Sequence, residues 1–221
     1  METEMIDLTL IWDSLPSLLY GAGISLQITL IAALIGLTLG SIFSLAETSK
    51  SHSIKFAIGT YVTLFRGTPM IVQILFIYYV LPQFGLNLAP FWAASVAIGL
   101  NSCAYISQVI RSGINAVPKG QIEAAHTLGF TSLKTMRYIV FPQAFRVTLP
   151  TLGNELVTLV KDSSLASIIG VMEITKEASI IRSRTYDAFS ILLAVAFIYL
   201  ILTATLSFCM KKYETRLKKH A

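Results

Sequence analysis

The sequence predicts an all-α integral membrane protein, a helical bundle with five transmembrane helices and one short cytoplasmic helix. Three observations carry that expectation. Of the 221 residues 54% are hydrophobic and only 13% are charged, whereas a soluble domain carries about a quarter charged residues, and the mean hydropathy is +0.69. Apolar runs of bilayer-spanning length recur at 18–45, 59–81, 91–110, 147–169 and 189–210. Lys and Arg gather on one side of the alternation that those runs impose.

The loops 46–66 and 111–146 and the tail after 210 together hold thirteen of the seventeen Lys and Arg residues. The opposite side holds only Lys176, Arg182 and Arg184, and Lys161 lies inside a span. Positive charge is retained in the cytoplasm, so the N-terminus is expected outside and the C-terminus inside a multi-pass membrane protein. Residues 1–17, with Glu2, Glu4, Asp7 and Asp13 and no Lys or Arg, fit the outside and do not resemble a cleavable signal peptide. A net charge of +5 raises the question of nucleic acid. The basic residues flank apolar spans, so anionic lipid headgroups are the expected partner and nucleic acid is not. Cys103 and Cys209 both fall inside spans and read as small buried hydrophobes rather than as a disulfide. With no repeat and no low-complexity linker, residues 1–221 form a single membrane domain.

The first span carries Ala32, Gly36, Gly40 and Ser44 at four-residue steps, a stripe that lets another helix approach closely, within the chain or in a dimer. The second begins Arg66-Gly67-Thr68-Pro69 and reaches Gln73. Pro69 is expected to kink it near the cytoplasmic end, where Arg66 can extend to headgroups. The uncharged link 81–90 contains two prolines and reads as an external turn. The third span has Ser95, Gly99, Cys103 and Ser107 along one stripe and Ala97, Asn101 and Tyr105 beside it, a pattern suited to lining a path. Asn101 near mid-span serves either an interhelical hydrogen bond or a substrate contact.

The fourth span places Glu155, Thr158 and Asp162 on one helical face, with Lys161 adjacent. Ionisable groups are expensive inside a bilayer and tend to mark a pathway. Asp162 or Ser163 could N-cap a short helix ending at Gly170. Its positive end and Lys161 would suit a carboxylate, and Glu155 and Asp162 an ammonium. Alternatively both acids are satisfied locally and hold the bundle together. Residues 171–187 are polar, mixed in charge and expected outside, the fifth span is uniformly apolar, and the basic tail faces headgroups.

The most specific stretch is the polar loop at 112–145. Residues 119–128 read as a short helix, with Pro118 before it and Gly129 at a left-handed C-cap. Glu123 faces solvent, and Ala124 and Ala125 leave a shallow surface. The spacing of Glu123, Ala124, Ala125, Gly129, Ile139 and Pro142 resembles the signature loop of ATP-binding-cassette (ABC) importer permeases, which docks on the ATPase subunit. The run from Arg66 to Gln73, the pairs Ala104-Tyr105 and Gly120-Gln121, Arg111, LGNEL around Glu155 and KDSSLASIIG from Lys161 resemble the polar amino-acid branch, of histidine, glutamine or arginine type. His126 in place of Arg, Phe141 in place of Leu and Gln108 in place of Glu depart from it.

The resemblance implies a type I ABC importer transmembrane domain, a non-catalytic subunit for a polar amino acid. It implies an ATPase dimer on the Glu123 loops, an extracytoplasmic solute-binding protein and a second permease copy or paralogue. The chain has no GxxxxGK[ST] run, so ATP and Mg are expected on the partner and no cofactor on this chain. It has no HExxH, CxxC or clustered His, so no metal ligands are expected, and no catalytic set can be assembled. The rival reading is an ATPase-independent secondary transporter or channel, against which the lack of inverted repeats weighs. A second rival is a non-transporting scaffold that recruits a cytoplasmic protein through the same loop.

Overall fold

The computed structural model describes residues 6–49 and 51–219, and every regular element among them is helical. Glu2, Glu4, Lys50 and His220, and the side chains of Lys218 and Lys219, fall outside the described residues. Helix α1 is Leu8–Ala46, so most of the acidic leader is helical rather than a loop. The Asp7 carboxylate accepts the Leu10 N–H at 2.9 Å and starts the helix early. The Thr9 hydroxyl and the Leu10 N–H hold that carboxyl below its ordinary value. With 39 residues α1 is about 58 Å long, well beyond a bilayer core of about 30 Å.

Helix α4, Pro90–Asn115, lies along α1 in the same direction. Gly99 faces Ile35, Gly36 faces Ser102, Gly40 faces Cys103 and Ile106, and Glu47 meets Arg111, so contacts advance together along both helices. The small-residue stripe of α1 therefore serves packing within the chain. The facing stripe of α4 is buried in the same seam and does not line a path, since a Cβ on Gly36 would stand 2.9 Å from Ser102 Oγ. Helix α7, Phe141–Asp162, runs against α4, with Gly113 near Ala144 and Thr148 while Ser102 reaches Glu155. Helix α9, Ala188–Lys219, returns along α1, and the Asp7 N–H donates to Ser190 Oγ at 2.9 Å where the two helices begin. The basic tail continues α9 without a break.

Between α1 and α4 the chain is broken. Helix α2, His52–Gly67, turns by 108° into a helical stretch that starts with α3, Met70–Leu75. That stretch passes through a widened π turn, Phe76–Val80, and a tight 3-10 turn, Leu81–Phe84. A second widened turn, Met136–Val140, precedes α7. Each ends just before a proline. The Leu81 N–H bonds to Phe76 O ahead of Pro82, and the Phe141 N–H bonds to Met136 O ahead of Pro142. The wider turn moves aside the carbonyl that the proline ring would strike and that no N–H remains to satisfy.

Residues 171–187 include a helix, α8, Ile174–Thr185, not just a solvated loop. Fully buried Glu173 caps it, accepting the N–H groups of Thr175 and Lys176 at 2.9 Å each and the Tyr199 hydroxyl at 3.1 Å. The principal core, built on Ile28, Ile74, Ile98 and Leu159, lies where α1, α3, α4 and α7 meet. A second, around Leu18, Ile174, Ile191 and Ile198, joins α8 to α1 and α9. Among the described residues, α1, α4 and α9 are long and apolar enough to cross a membrane, and the bent α2–α3 pair makes a fourth if counted as one span. Helix α7 is long enough, but Arg146, Glu155, Lys161 and Asp162 lie on it.

The α1–α8 contact yields a test. A Cβ on Gly21 would lie 2.8 Å from the Ile174 backbone nitrogen, whereas one on Gly59 of α2 meets nothing within 4 Å. Gly21→Ala should destabilise the purified protein by about 1–3 kcal/mol, and Gly59→Ala should be neutral or stabilising by up to about 1 kcal/mol. Thermal unfolding in detergent separates the two.

Candidate functional site: a cytoplasmic lever and a polar track through the bundle

The loop at 112–145 begins with α5, Lys119–Thr127, which ends as expected at Gly129 with φ of +81°. The Phe130 N–H bonds to Ala125 O at 3.0 Å and the Gly129 N–H to His126 O at 2.9 Å, a pattern that uses up carbonyls at the helix end. His126, one of the departures from the family pattern, places Nδ1 3.1 Å from Phe130 O across the same cap. Glu123 and Ala124 are exposed, but Ala125 is buried and supports the helix from beneath, so the shallow surface is narrower than expected. Leu128 and Leu133, 79% and 78% exposed, extend it with apolar area. Thr131 caps the short helix α6, Ser132–Thr135, which runs through the widened turn into α7. Gln143 of α7 donates to Gln121 of α5 at 2.6 Å and to Ile139 O at 2.8 Å. An exposed helix is thereby tied to the helix that carries Glu155 and Asp162.

Inside the bundle, the break between α2 and α3 sits deeper than Pro69 suggested. Phe65 O and Thr68 O lose their helical partners there, and two buried amides supply replacements. Gln73 Nε2 donates to Phe65 O at 2.8 Å and lies 3.1 Å from Thr68 O and 2.8 Å from Thr68 Oγ1. Asn101 Nδ2 donates to Phe65 O at 3.1 Å and to Gln73 Oε1 at 2.9 Å. Asn101 thus makes the interhelical bond that was one of its two expected uses. The guanidinium carbon of Arg66 lies 5.1 Å from the centre of the Tyr105 ring, within a turn of the midpoint of α4. The two flank an open cavity of about 300 Å³ that Thr148 and Thr151 of α7 line from the other side.

On α7, Glu155 is half-buried and accepts the Ser102 hydroxyl at 3.0 Å. Thr158 and Lys161 are exposed, Asp162 is half-buried and Ser163 is buried. The expected capped helix start at Asp162 or Ser163 is not formed. Asp162 keeps helical angles of −66° and −24°, its side chain caps nothing, and α7 tightens into a 3-10 turn, Ser163–Ile169, that stops at Gly170 with φ of +86°. The serines favour continuation because Ser163 and Ser167 donate back to Val160 O and Ser164 O, both at 2.7 Å. No set of free N–H groups opens toward a carboxylate there.

The structure adds a site that sequence reasoning missed. Arg111 pairs with buried Glu47 at 2.6 Å, and Gln108 donates to the other Glu47 oxygen at 3.4 Å. A glutamate at 108 would face Glu47 with like charge, so the neutral side chain suits its surroundings. Only the placement of Glu47 and Arg111 near the ends of two spans hinted at the pair. Among the described residues no group of three His, Cys, Asp or Glu is gathered to hold a metal ion.

An exposed loop helix, tied to a helix that carries acids through an apolar bundle, marks a membrane transport subunit. Residues 34–219 match the family described as the binding-protein-dependent transport system inner membrane component, and the chain belongs to that family of ABC importer permeases. It is 38% identical to the arginine transport system permease protein ArtQ of Bacillus subtilis, over 97% of this chain and 99% of that one. It is 37% identical to the glutamine transport system permease protein GlnP of Escherichia coli K12, over 96% and 98%. A crystal structure described as an amino acid ABC transporter with histidines matches with a TM-score of 0.90 at 39% identity, over 96% of this chain and 99% of that one. The MetNI methionine ABC transporter in an inward-facing form shares the fold, with a TM-score of 0.73 at 17% identity, over 96% and 99%. The all-helical fold is that of a type I ABC importer permease.

The sealed break supplies a test. Asn101→Leu leaves Phe65 O with one donor fewer and Gln73 Oε1 with none, which should cost about 1–3 kcal/mol. Thermal unfolding should show that loss, and Asn101→Gln, which keeps the amide, should lose less.

Proposed function

We propose that this chain is the permease subunit of an importer that carries a polar amino acid, of arginine, histidine or glutamine type, into the bacterial cytoplasm. The observation that carries this reading is the hydrogen bond that Gln143 of α7, the helix that bears Glu155, Thr158, Lys161 and Asp162, donates to Gln121 of the exposed helix α5. The amino-acid class is supported by what its relatives are named for. The chain crosses the inner membrane five times, by α1, the bent α2–α3 pair, α4, α7 and α9, with its N-terminus outside and its C-terminus in the cytoplasm. The shared direction of α1, α4 and α9 and the opposite direction of α7 support that count.

A separate ATPase dimer binds ATP and Mg and seats on Glu123, Ala124 and Gly129, with Ala125 as the floor beneath them. A second permease, identical or paralogous, completes the pathway, and a solute-binding protein docks on the outer side near α8. Closure of the ATPases presses α5, and the link to Gln143 passes that displacement to α7. Glu155, Thr158 and Asp162 on one face of α7, with neighbouring Lys161 and Ser163, then change the side to which they are open. Lys211, Lys212 and Arg216 on α9 lie among anionic headgroups. This subunit performs no hydrolysis of its own.

Two measurements test the reading. Glu123→Arg with Gly129→Val should abolish co-purification of the ATPase and amino-acid uptake in proteoliposomes, because β-branched Val is strained at φ of +81°. Uptake at full rate by that variant, or with no ATPase present, would favour an ATPase-independent channel or transporter. Glu155→Gln with Asp162→Asn should lower amino-acid uptake at least about tenfold while insertion and ATPase binding persist. Unchanged uptake removes the two acids from the pathway.

A further inference from the structure

On the five-span reading above, Arg66 lies within the membrane, and no carboxylate is within 4.0 Å of it among the described residues. Such a charge is tolerated in a bilayer only where it faces protein, water or a partner ion. It is exposed on the surface of this chain, and its guanidinium lies over the Tyr105 ring, within a turn of the α4 midpoint. Stacking uses the face of the guanidinium and leaves its N–H edges free, and those edges match a carboxylate in two parallel hydrogen bonds. The cavity beside it, about 300 Å³, is lined by Gln108, Ser112 and Thr151 as well as Tyr105 and Thr148, and is of a size to hold one small polar molecule.

We infer that Arg66 binds the carboxylate of the carried amino acid in this cavity. The inference rests on the amino-acid reading above. Lys161, the cation expected in that role from the sequence, stands ten residues beyond Thr151 on α7, about 15 Å along the helix axis, and so cannot share the cavity. Glu155 stands four residues beyond Thr151, about 6 Å along the axis. It is bonded to Ser102, one turn before Tyr105 on α4. The acid and the cation therefore flank the same stretch of α4, in the arrangement that an ammonium and a carboxylate on one small molecule require. Arg66 lies in the last turn of α2, just before the break, beside Tyr105.

The test is direct ligand binding to the complete permease–ATPase complex in nanodiscs without the solute-binding protein, so that only the permease selects. Radiolabelled L-arginine, L-histidine and L-glutamine are the probes, beside agmatine and histamine, which lack the carboxylate. The wild-type complex should prefer an amino acid to its decarboxylated amine by at least about tenfold. Arg66→Gln should remove most of that preference by weakening amino-acid binding while the amine binds as before. Arg66→Lys, which keeps the charge and loses the planar fork, should fall between, and it carries the test if the Gln variant fails to assemble. Preference for the carboxylate retained in both variants, or equal loss of amino acid and amine, overturns the assignment. If no probe binds the wild-type complex, these amino acids are not its cargo, and the amino-acid reading falls together with this one.

Discussion

In a bilayer no water completes a broken helix, so every freed backbone group must find a partner inside the protein. The architecture turns on how this is done between residues 65 and 73. A chain that bends by 108° there leaves carbonyls of Phe65 and Thr68 pointing into the bundle, and the side chains of Gln73 and Asn101 close over them. That seal fixes α2 and α3 against the middle of α4, and with them the depth of Arg66. It also explains an asparagine among buried apolar residues of α4, where an unpaired amide would be costly.

Around that seal the bundle divides into parts of different stiffness. Helices α1 and α4 meet along a seam where Gly36, Gly40 and Gly99 receive the side chains of Ser102, Ile106 and Ile35, which have little room to shift. Their C-terminal ends are further joined by Glu47, which Arg111 and Gln108 both reach. The contact between α5 and α7 is of another kind, an exposed pair of amides beside a buried alanine. Packed glycine seams resist sliding, whereas exposed polar contacts reform at little cost. The α1–α4 pair is thus the stiffer part of the bundle and the α5–α7 contact the more yielding one.

Much of this was legible in the sequence because it depends on local spacing. The helix at 119–128 and its glycine end follow from Pro118 and Gly129, and apolar run lengths place helices in all five expected spans. What depends on meetings across the chain was not legible. Pro69 marked a bend, but its depth is set by Asn101, 36 residues from the Phe65 carbonyl it reaches. The Glu47–Arg111 pair spans a separation of 64 residues. Helix α8 was hidden because its apolar stripe, Ile174, Ala178 and Ile181, is short and set among mixed charges, and its start is a buried Glu173 that needs Tyr199 of α9. The expected start at Asp162 failed for a local reason, since serines that could cap a new helix instead bonded back to the old one.

The widened turn at Met136–Val140 has a geometric effect beyond its accommodation of Pro142. An inserted residue in a helical turn rotates all that follows by about 100° about the axis. The azimuth of Glu155 and Asp162 relative to the 112–145 loop is therefore dialled by five residues far from either acid. Were that turn to tighten into an ordinary α-helical one, the same sequence would aim its acids at a different neighbour.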